Sequence, residues 1–502
     1  MRSLLLYAAL AGSPAARAGS VDGGGSDDPG PPVNEADASP AADVAPATDA
    51  APAADSAPEP AGAPDETTPW VLLAHQYVRA APRGGSERLG LVLKGSVVSA
   101  VGPVEPGDRS CSKGWVPLPG DAWLCARWAQ PADDPSAAPV PLPQRVPFDP
   151  PEPAEYWSYL ETGAYTVDEV APGDGLVPFV YGKAWRRWTA PTWRSRWAYE
   201  HHRASEGELD TDRKFAFIGV VETARGPVFV RTDGAVVPVD EVFVYPITRF
   251  HGRDLAADPV ADGWLAGWVT PYDGVELLGS TDLEAPPVGA LAFQDQVDAR
   301  PVPEQPDWLE IRGVVGDGGP RFLPADQVAT WQTVAPAPDL RPDELWIDLE
   351  LGEQVLAVMQ GDQPIFVTLV SSGRDDKRKG TPTGLYRTTD KAAWGDMNNR
   401  EGADDVYYVE KVPWILHFWP RYALHGAFWH WGMGHQASHG CVNLAPRDAA
   451  WIFDRVGPVL PDGWHTVYAT EANPGATLRV RRGADLDLRD RRVLPDADQA
   501  RR

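Results

Sequence analysis

Half of the ten histidines in this 502-residue chain fall between His417 and His439, and Cys441, the last of three cysteines, follows two residues later. The stretch reads HFWPRYALHGAFWHWGMGHQASHGCVNL. Two chemistries suit a thiol among imidazoles. His425, His430, His435, His439 and Cys441 are all potential zinc ligands, since zinc takes imidazole nitrogen and thiolate sulfur. Their spacings of five, five, four and two residues fit neither a Cys2His2 nor an HExxH arrangement, and no carboxylate stands within the stretch to orient the rings. The other chemistry is a cysteine nucleophile with a histidine base, the pairing that acyl transfer needs. A third reading gives the imidazoles no chemistry and lets them fill an aromatic surface. Spacing favours the nucleophile.

The local string carries more than spacing. LHG and SHGCVN, with sixteen residues from His425 to Cys441, resemble the catalytic signature of the L,D-transpeptidase family. Upstream, LWIDLELGEQVLAVMQGDQPIFVTLVSSGRDDKRKGTPTGLYRT resembles the start of the same domain, with SSG and TPTG as its punctuation. The resemblance runs from about Glu344 to Thr470, and domain bounds of 343–471 follow from it. It implies a β-sandwich catalytic domain with a short helix after the nucleophile, no metal and no organic cofactor. It also implies a reaction. Cys441 attacks the carbonyl at the L-centre of diaminopimelate in a peptidoglycan tetrapeptide stem, expels D-alanine and holds the stem as a thioester. An amine on a neighbouring stem, or on a wall-attached protein, then resolves it. Water as acceptor makes an L,D-carboxypeptidase, and a Cys/His peptidase acting on other amides fits the same residues. The non-enzymatic alternative is a wall-binding protein that has lost catalysis. His417, His430 and His435 stand outside the signature.

Each residue has a physical reason to be there. A neighbouring imidazole lowers the pKa of a thiol below its free value of about 8.5 and so favours the reactive thiolate. His425 is the expected base, oriented by a carbonyl such as that of Gly426. Gly440 lets backbone approach the scissile amide, so that the N–H groups of Gly440 and Cys441 can face the oxyanion. His439 shapes the pocket or assists proton transfer, and Ser438 and Asn443 hold the loop. APRDAAWIFDRV, with Pro446 in a first turn, predicts a short helix leaving the site. Trp464–Thr470 predicts a closing strand, and residues 472–502 read as a charged tail.

The rest of the chain must position and deliver this domain. Arg2, the apolar run Leu4–Leu10 and Ala16-Arg17-Ala18 read as a signal peptide over residues 1–18, which predicts export to the periplasm or cell wall. Residues 19–68 hold eleven acidic side chains, no basic ones and few large apolar ones, too little to offset the entropy of ordering, so a disordered tether is expected. Residues 69–130 carry closely spaced β-rich runs, and the VRAAPRGG…LGLVLKGSVVSAVG…GWVPL…AWLCARW pattern resembles bacterial SH3-like domains. Cys111 and Cys125 lie inside it and form the expected disulfide of an exported chain. A Pro-rich linker at 131–153 leads to one or two further β modules over 154–342, whose role is not written in their residues. There, WRRWTAPTWRSRW at Trp185–Trp197 could stack on sugar rings or anionic polymer, although a Trp-rich packing edge under Arg stems explains it as well.

The fold class that results is mostly β and multidomain. With 45 basic against 71 acidic side chains the net charge is −26, which argues against nucleic acid as a partner. No apolar run approaches the roughly 20 residues of a membrane-spanning helix. The partners expected are peptidoglycan stem peptides, as donor tetrapeptide and acceptor amine.

Overall fold

Short apolar runs separated by turn residues dominate the chain, and in its structure, a computed structural model, they become strands: 47% strand against 7% helix. The mostly-β, multi-sheet expectation is met. The structure describes residues 67–133, 177–185, 189–245, 247–312, 319–374, 379–398 and 407–483. The signal segment, almost all of the acidic tract, most of the Pro-rich linker and Arg186–Trp188 lie outside the described residues. No helix among the described residues is long and apolar enough to cross a membrane.

Residues 67–133 wrap short strands around Leu72, Val78, Val92, Val98, Val116 and Leu124. Cys111 and Cys125 are bonded, with Cα atoms 5.7 Å apart, and pack on Trp115. One strand of this module, Arg88–Val92, pairs antiparallel with Thr466–Tyr468 far along the chain. Glycine at position 90 makes that approach possible, because a Cβ there would stand 2.2 Å from the Thr466 carbonyl oxygen.

Two further cores follow. The first gathers Phe217, Phe229, Val237 and Val242, between strands that include Val180–Ala184 and Arg213–Val221. The second lies under a seven-stranded sheet and gathers Val269, Leu277, Val297, Leu309, Ile311 and Leu323. Within the Trp/Arg segment Trp193 is buried, whereas Trp185 is exposed and stacks on Phe243 at 5.2 Å. Trp197 is exposed and stacks on His201.

The C-terminal region is a sandwich. One sheet orders Arg253–Asp254, Gln363–Leu369, Val355–Gln360, Leu345–Glu350, Thr477–Arg481 and Gly384–Arg387. The facing sheet holds Asp390–Asn398, Tyr408–Trp419, Tyr422–Gly426 and Val442–Leu444. Between them sit Ile347, Leu349, Leu356, Val358, Phe366, Leu416, Phe418, Leu424 and Val442, all fully buried.

The helix Pro446–Arg455 covers this core with Ala449, Ile452 and Phe453, and Pro446 opens its first turn. At that end the buried Asp448 carboxylate accepts from the Thr368 hydroxyl, from Gly252 N–H at 3.0 Å and from His251 Nδ1 at 2.5 Å. At the other end, buried Lys391 Nζ donates to the carbonyls of Phe453 and Val456, groups a helix terminus leaves unpaired.

The charged-tail reading of residues 472–502 is corrected at its start. Thr477–Arg481 is a buried strand running parallel to Leu345–Glu350 and covered on its other side by the edge strand Gly384–Arg387. Its two arginines share the Asp348 carboxylate: Arg479 Nε lies 2.6 Å and Arg481 Nη2 2.9 Å from it, and it also accepts from Trp331 Nε1 at 3.1 Å. Burying such charges costs several kcal/mol per ion unless they are paired and hydrogen-bonded in this way.

Candidate active site

His425 lies in the strand Tyr422–Gly426, and Cys441 immediately precedes Val442–Leu444, the strand parallel to it. Leu424 pairs with Val442 and His425 with Asn443, so the cysteine sits at the mouth of its strand and the histidine within the adjacent one. His425 is buried, and its Nδ1 lies 3.3 Å from the Gly426 carbonyl oxygen. A carbonyl can only accept, so Nδ1 carries the proton and Nε2 is left with a lone pair. Burial, opposed by that carbonyl and aided by the charges of His430 and His417, pulls the imidazole pKa down to about 4. His425 is therefore a neutral base at pH 7.

Cys441 is free and half-buried, with Sγ 3.7 Å from the Arg421 carbonyl oxygen. Burial pushes its thiol above the usual range, against a smaller downward pull from the Ala423 backbone. The imidazole expected to hold the thiol ionised is itself neutral, so His425 supplies no positive charge to it. At rest the two groups are a thiol and a neutral imidazole.

The cysteine loop is held by backbone and hydroxyls. Ser438 Oγ donates to the Cys441 carbonyl at 2.5 Å and accepts from Gly440 N–H at 3.0 Å. The Gly440 N–H is thus spent inside the loop, which corrects the expectation that it faces an oxyanion. Gly440 has φ of +128°, and a Cβ there would stand 2.6 Å from Cε1 of Tyr422. Only glycine allows both the conformation and the approach. His439 is half-buried, its ring 5.2 Å from that of Tyr407.

The upstream motifs seat this loop. Ser371 exchanges backbone hydrogen bonds with Asn443, at 2.9 and 3.0 Å, and Ser372 accepts from the N–H of Ser438 at 3.1 Å. Ser372 is itself fixed by buried Gln354, which receives its N–H at 2.7 Å and donates to its hydroxyl at 2.8 Å. Thr381, the first residue of TPTG, accepts from Gly373 N–H at 2.9 Å and donates to the Gly440 carbonyl at 2.8 Å. Gln354 and Thr381 had no assigned role in the sequence; SSG and TPTG were the visible signal.

Two histidines outside the signature are also tied in. His430 Nε2 lies 2.8 Å from Asn443 Nδ2 and accepts from that amide, while burial, with Lys214 adding to it, pulls the ring pKa down to about 4. His435 bonds the Thr270 carbonyl at 2.8 Å and stacks on Tyr272 at 4.4 Å, joining the loop to the seven-stranded module. His417 points elsewhere. Burial draws its pKa down, but the Asp390 carboxylate 2.7 Å away outweighs that and raises it. Among the described residues no group of three or more His, Cys, Asp or Glu side chains could hold a metal ion.

The comparison with family models falls on this sandwich. Residues 344–474 match the YkuD model, the L,D-transpeptidase catalytic domain. The L,D-transpeptidase match spans the SSG, TPTG and SHGC motifs and the strands from Leu345–Glu350 to Thr466–Tyr468. Among curated proteins the chain is 26% identical over 138 residues to YciB of Bacillus subtilis strain 168, whose own naming as an L,D-transpeptidase is provisional. That alignment covers 24% of this chain and 64% of the relative's length. Among solved structures, the catalytic domain of an E. faecium L,D-transpeptidase is 18% identical, with 28% of this chain and 98% of that one covered and a TM-score of 0.22. An L,D-transpeptidase from Mycobacterium smegmatis is 16% identical, over 42% of this chain and all of the other, with a TM-score of 0.23.

Proposed function

We propose that the chain is a peptidoglycan L,D-transpeptidase that cross-links stem peptides, or links proteins to the wall, through a thioester on Cys441. The observation that carries this reading is that the half-buried thiol of Cys441 immediately precedes the strand Val442–Leu444, which runs parallel to the strand holding the buried, neutral imidazole of His425.

In the proposed cycle, Sγ bonds to the carbonyl carbon of the donor stem as its proton passes to His425 Nε2. The Cys441 N–H supplies backbone stabilisation to the oxyanion, the Gly440 N–H being engaged. When the tetrahedral intermediate collapses, the C–N bond breaks and the His425 proton leaves with the D-alanine nitrogen. An acceptor amine then attacks the thioester, gives a proton to His425, and the thiol departs reprotonated. His439 lines the entrance, and Ser438 and Asn443 hold the loop. The signal-like N-terminus and the Cys111–Cys125 bond support export to the periplasm or wall, where thiols oxidise.

Incubating the mature chain with disaccharide-tetrapeptides and weighing the products tests the reading. Cross-linked dimers lighter by one D-alanine are expected. Trimmed monomers alone would replace it with an L,D-carboxypeptidase, and untouched stems would favour a wall-binding protein.

A further inference from the structure

The module that precedes the catalytic sandwich contributes two lysines that form no ion pair among the described residues, although the Asp212 charge acts on Lys214. Phe215 pairs with Gly182 and Ala216 with Tyr181 on antiparallel strands, so the next step of the register sets Lys214 opposite Lys183. Like charges placed directly across a sheet destabilise it. Both side chains are half-buried, and among the described residues neither forms an ion pair. Their neighbours are matched: Arg231 lies 3.0 Å from Glu410, and Lys411 lies 2.8 Å from Asp396. Lys183 Nζ has an aromatic neighbour instead, 5.8 Å from the centroid of Phe243.

Strand alternation fixes which way the pair faces. Lys214 shares a face with Ala216, and Lys183 with Tyr181. Tyr181 stacks on Phe428 at 3.6 Å, and Ala216 is buried with Phe428 and Val409. Lys214 itself is paired in parallel with Val409 of the catalytic sheet. Phe428 opens the segment that reaches His430 two residues later, and His430 is bonded to Asn443, two residues past Cys441. The electrostatics agree with this placement. Burial first, then the charge of Lys183, pull Lys214 below the usual lysine range against a smaller upward pull from Asp212, and Lys214 in turn disfavours a protonated His430.

We infer that Lys214 and Lys183 form an anion subsite beside the cysteine loop that takes a carboxylate of the peptide substrate. The inference rests on the reading of the chain as an enzyme of acidic stem peptides, and it names a group that selects among them. The carboxylate could belong to the donor or to the acceptor stem.

Binding to the full chain carrying Cys441→Ala separates this inference from the cycle, because no turnover is involved. Calorimetry with a donor tetrapeptide and with its side-chain carboxamide analogue gives one arm; the same pair of acceptor stems gives the other. The acidic form should bind more tightly in one arm, which identifies the source. Lys214→Ala should weaken that form about tenfold, the size of one charge-assisted hydrogen bond, and leave the carboxamide unchanged. Lys214→Arg should retain most of the preference, and Lys183→Ala should lose part of it. Equal weakening of acid and amide, or none in folded variants, would overturn the subsite. So would a failure of both peptides to bind. Lysine-dependent acid binding by a chain that shows no turnover would keep the subsite and discard the transpeptidase reading.

Discussion

The hydroxyl of Thr381 donates to the carbonyl of Gly440 at 2.8 Å while accepting from Gly373 N–H at 2.9 Å. One side chain thereby connects TPTG, SSG and the cysteine loop. Thr381→Val keeps the shape and strands a buried carbonyl and a buried N–H, a cost of about 1–3 kcal/mol. Turnover should fall about tenfold or more with a lower melting temperature, and Thr381→Ser should restore most of both. Steady-state kinetics with thermal unfolding measures this, and a fully active Thr381→Val would show that the latch has no catalytic consequence.

Gly440 gives a sharper case. Its φ of +128° and the Tyr422 ring 2.6 Å from a hypothetical Cβ leave an alanine no relaxed position. Gly440→Ala should lose at least about a hundredfold in kcat through displacement of the neighbouring nucleophile, since misplacements near 1 Å cost that much. Circular dichroism should remain that of the folded chain.

These relationships mark how far the sequence could be read. Cys441, His425 and the helix after them were legible because the chemistry and the Pro446 start are local. What seats them was not. Gln354 fixes Ser372 across eighteen residues, and Asp348 neutralises Arg479 across 131, so a buried strand read as a polar tail. The pairing of Gly90 with Val467 joins segments that no local pattern connects. The direction of the thiol pKa was not legible for a related reason: it depends on burial, which raises the thiol and keeps His425 neutral.

The pH dependence follows with a definite sign. Burial, its largest cause, brings His425, His430 and His465 each to about 4, against about 6.5 in an unfolded chain. Between those values the unfolded state binds more protons, so this contribution to stability is complete above about pH 6.5 and is lost as pH falls through 4. Melting temperatures taken from pH 7 to 4 should decline across that window. The acid limb of kcat/KM should likewise fall near pH 4 to 5 rather than near 6.5, and iodoacetamide should label Cys441 slowly until the alkaline range. Rapid labelling at pH 6 would restore the thiolate–imidazolium pair.

Cys111 and Cys125 close a loop with a sequence separation of fourteen residues, and for a loop of this size the chain-entropy model assigns about 3 kcal/mol to the bond. Alkylation of the native protein without reductant should mark Cys441 alone, and reduction should lower the melting temperature. Labelling of all three cysteines before reduction would remove the bond.

The central claim is a covalent intermediate on one sulfur. Wild-type protein mixed with a tetrapeptide donor, quenched in acid and digested should yield the Cys441 peptide carrying the stem less D-alanine, as a hydroxylamine-sensitive thioester. Cys441→Ala should carry no adduct and form no cross-link, while His425→Ala should accumulate it slower by about 10²–10⁴-fold, the usual worth of a general base. Cross-linked product from Cys441→Ala, or an adduct on any other residue, would contradict the account.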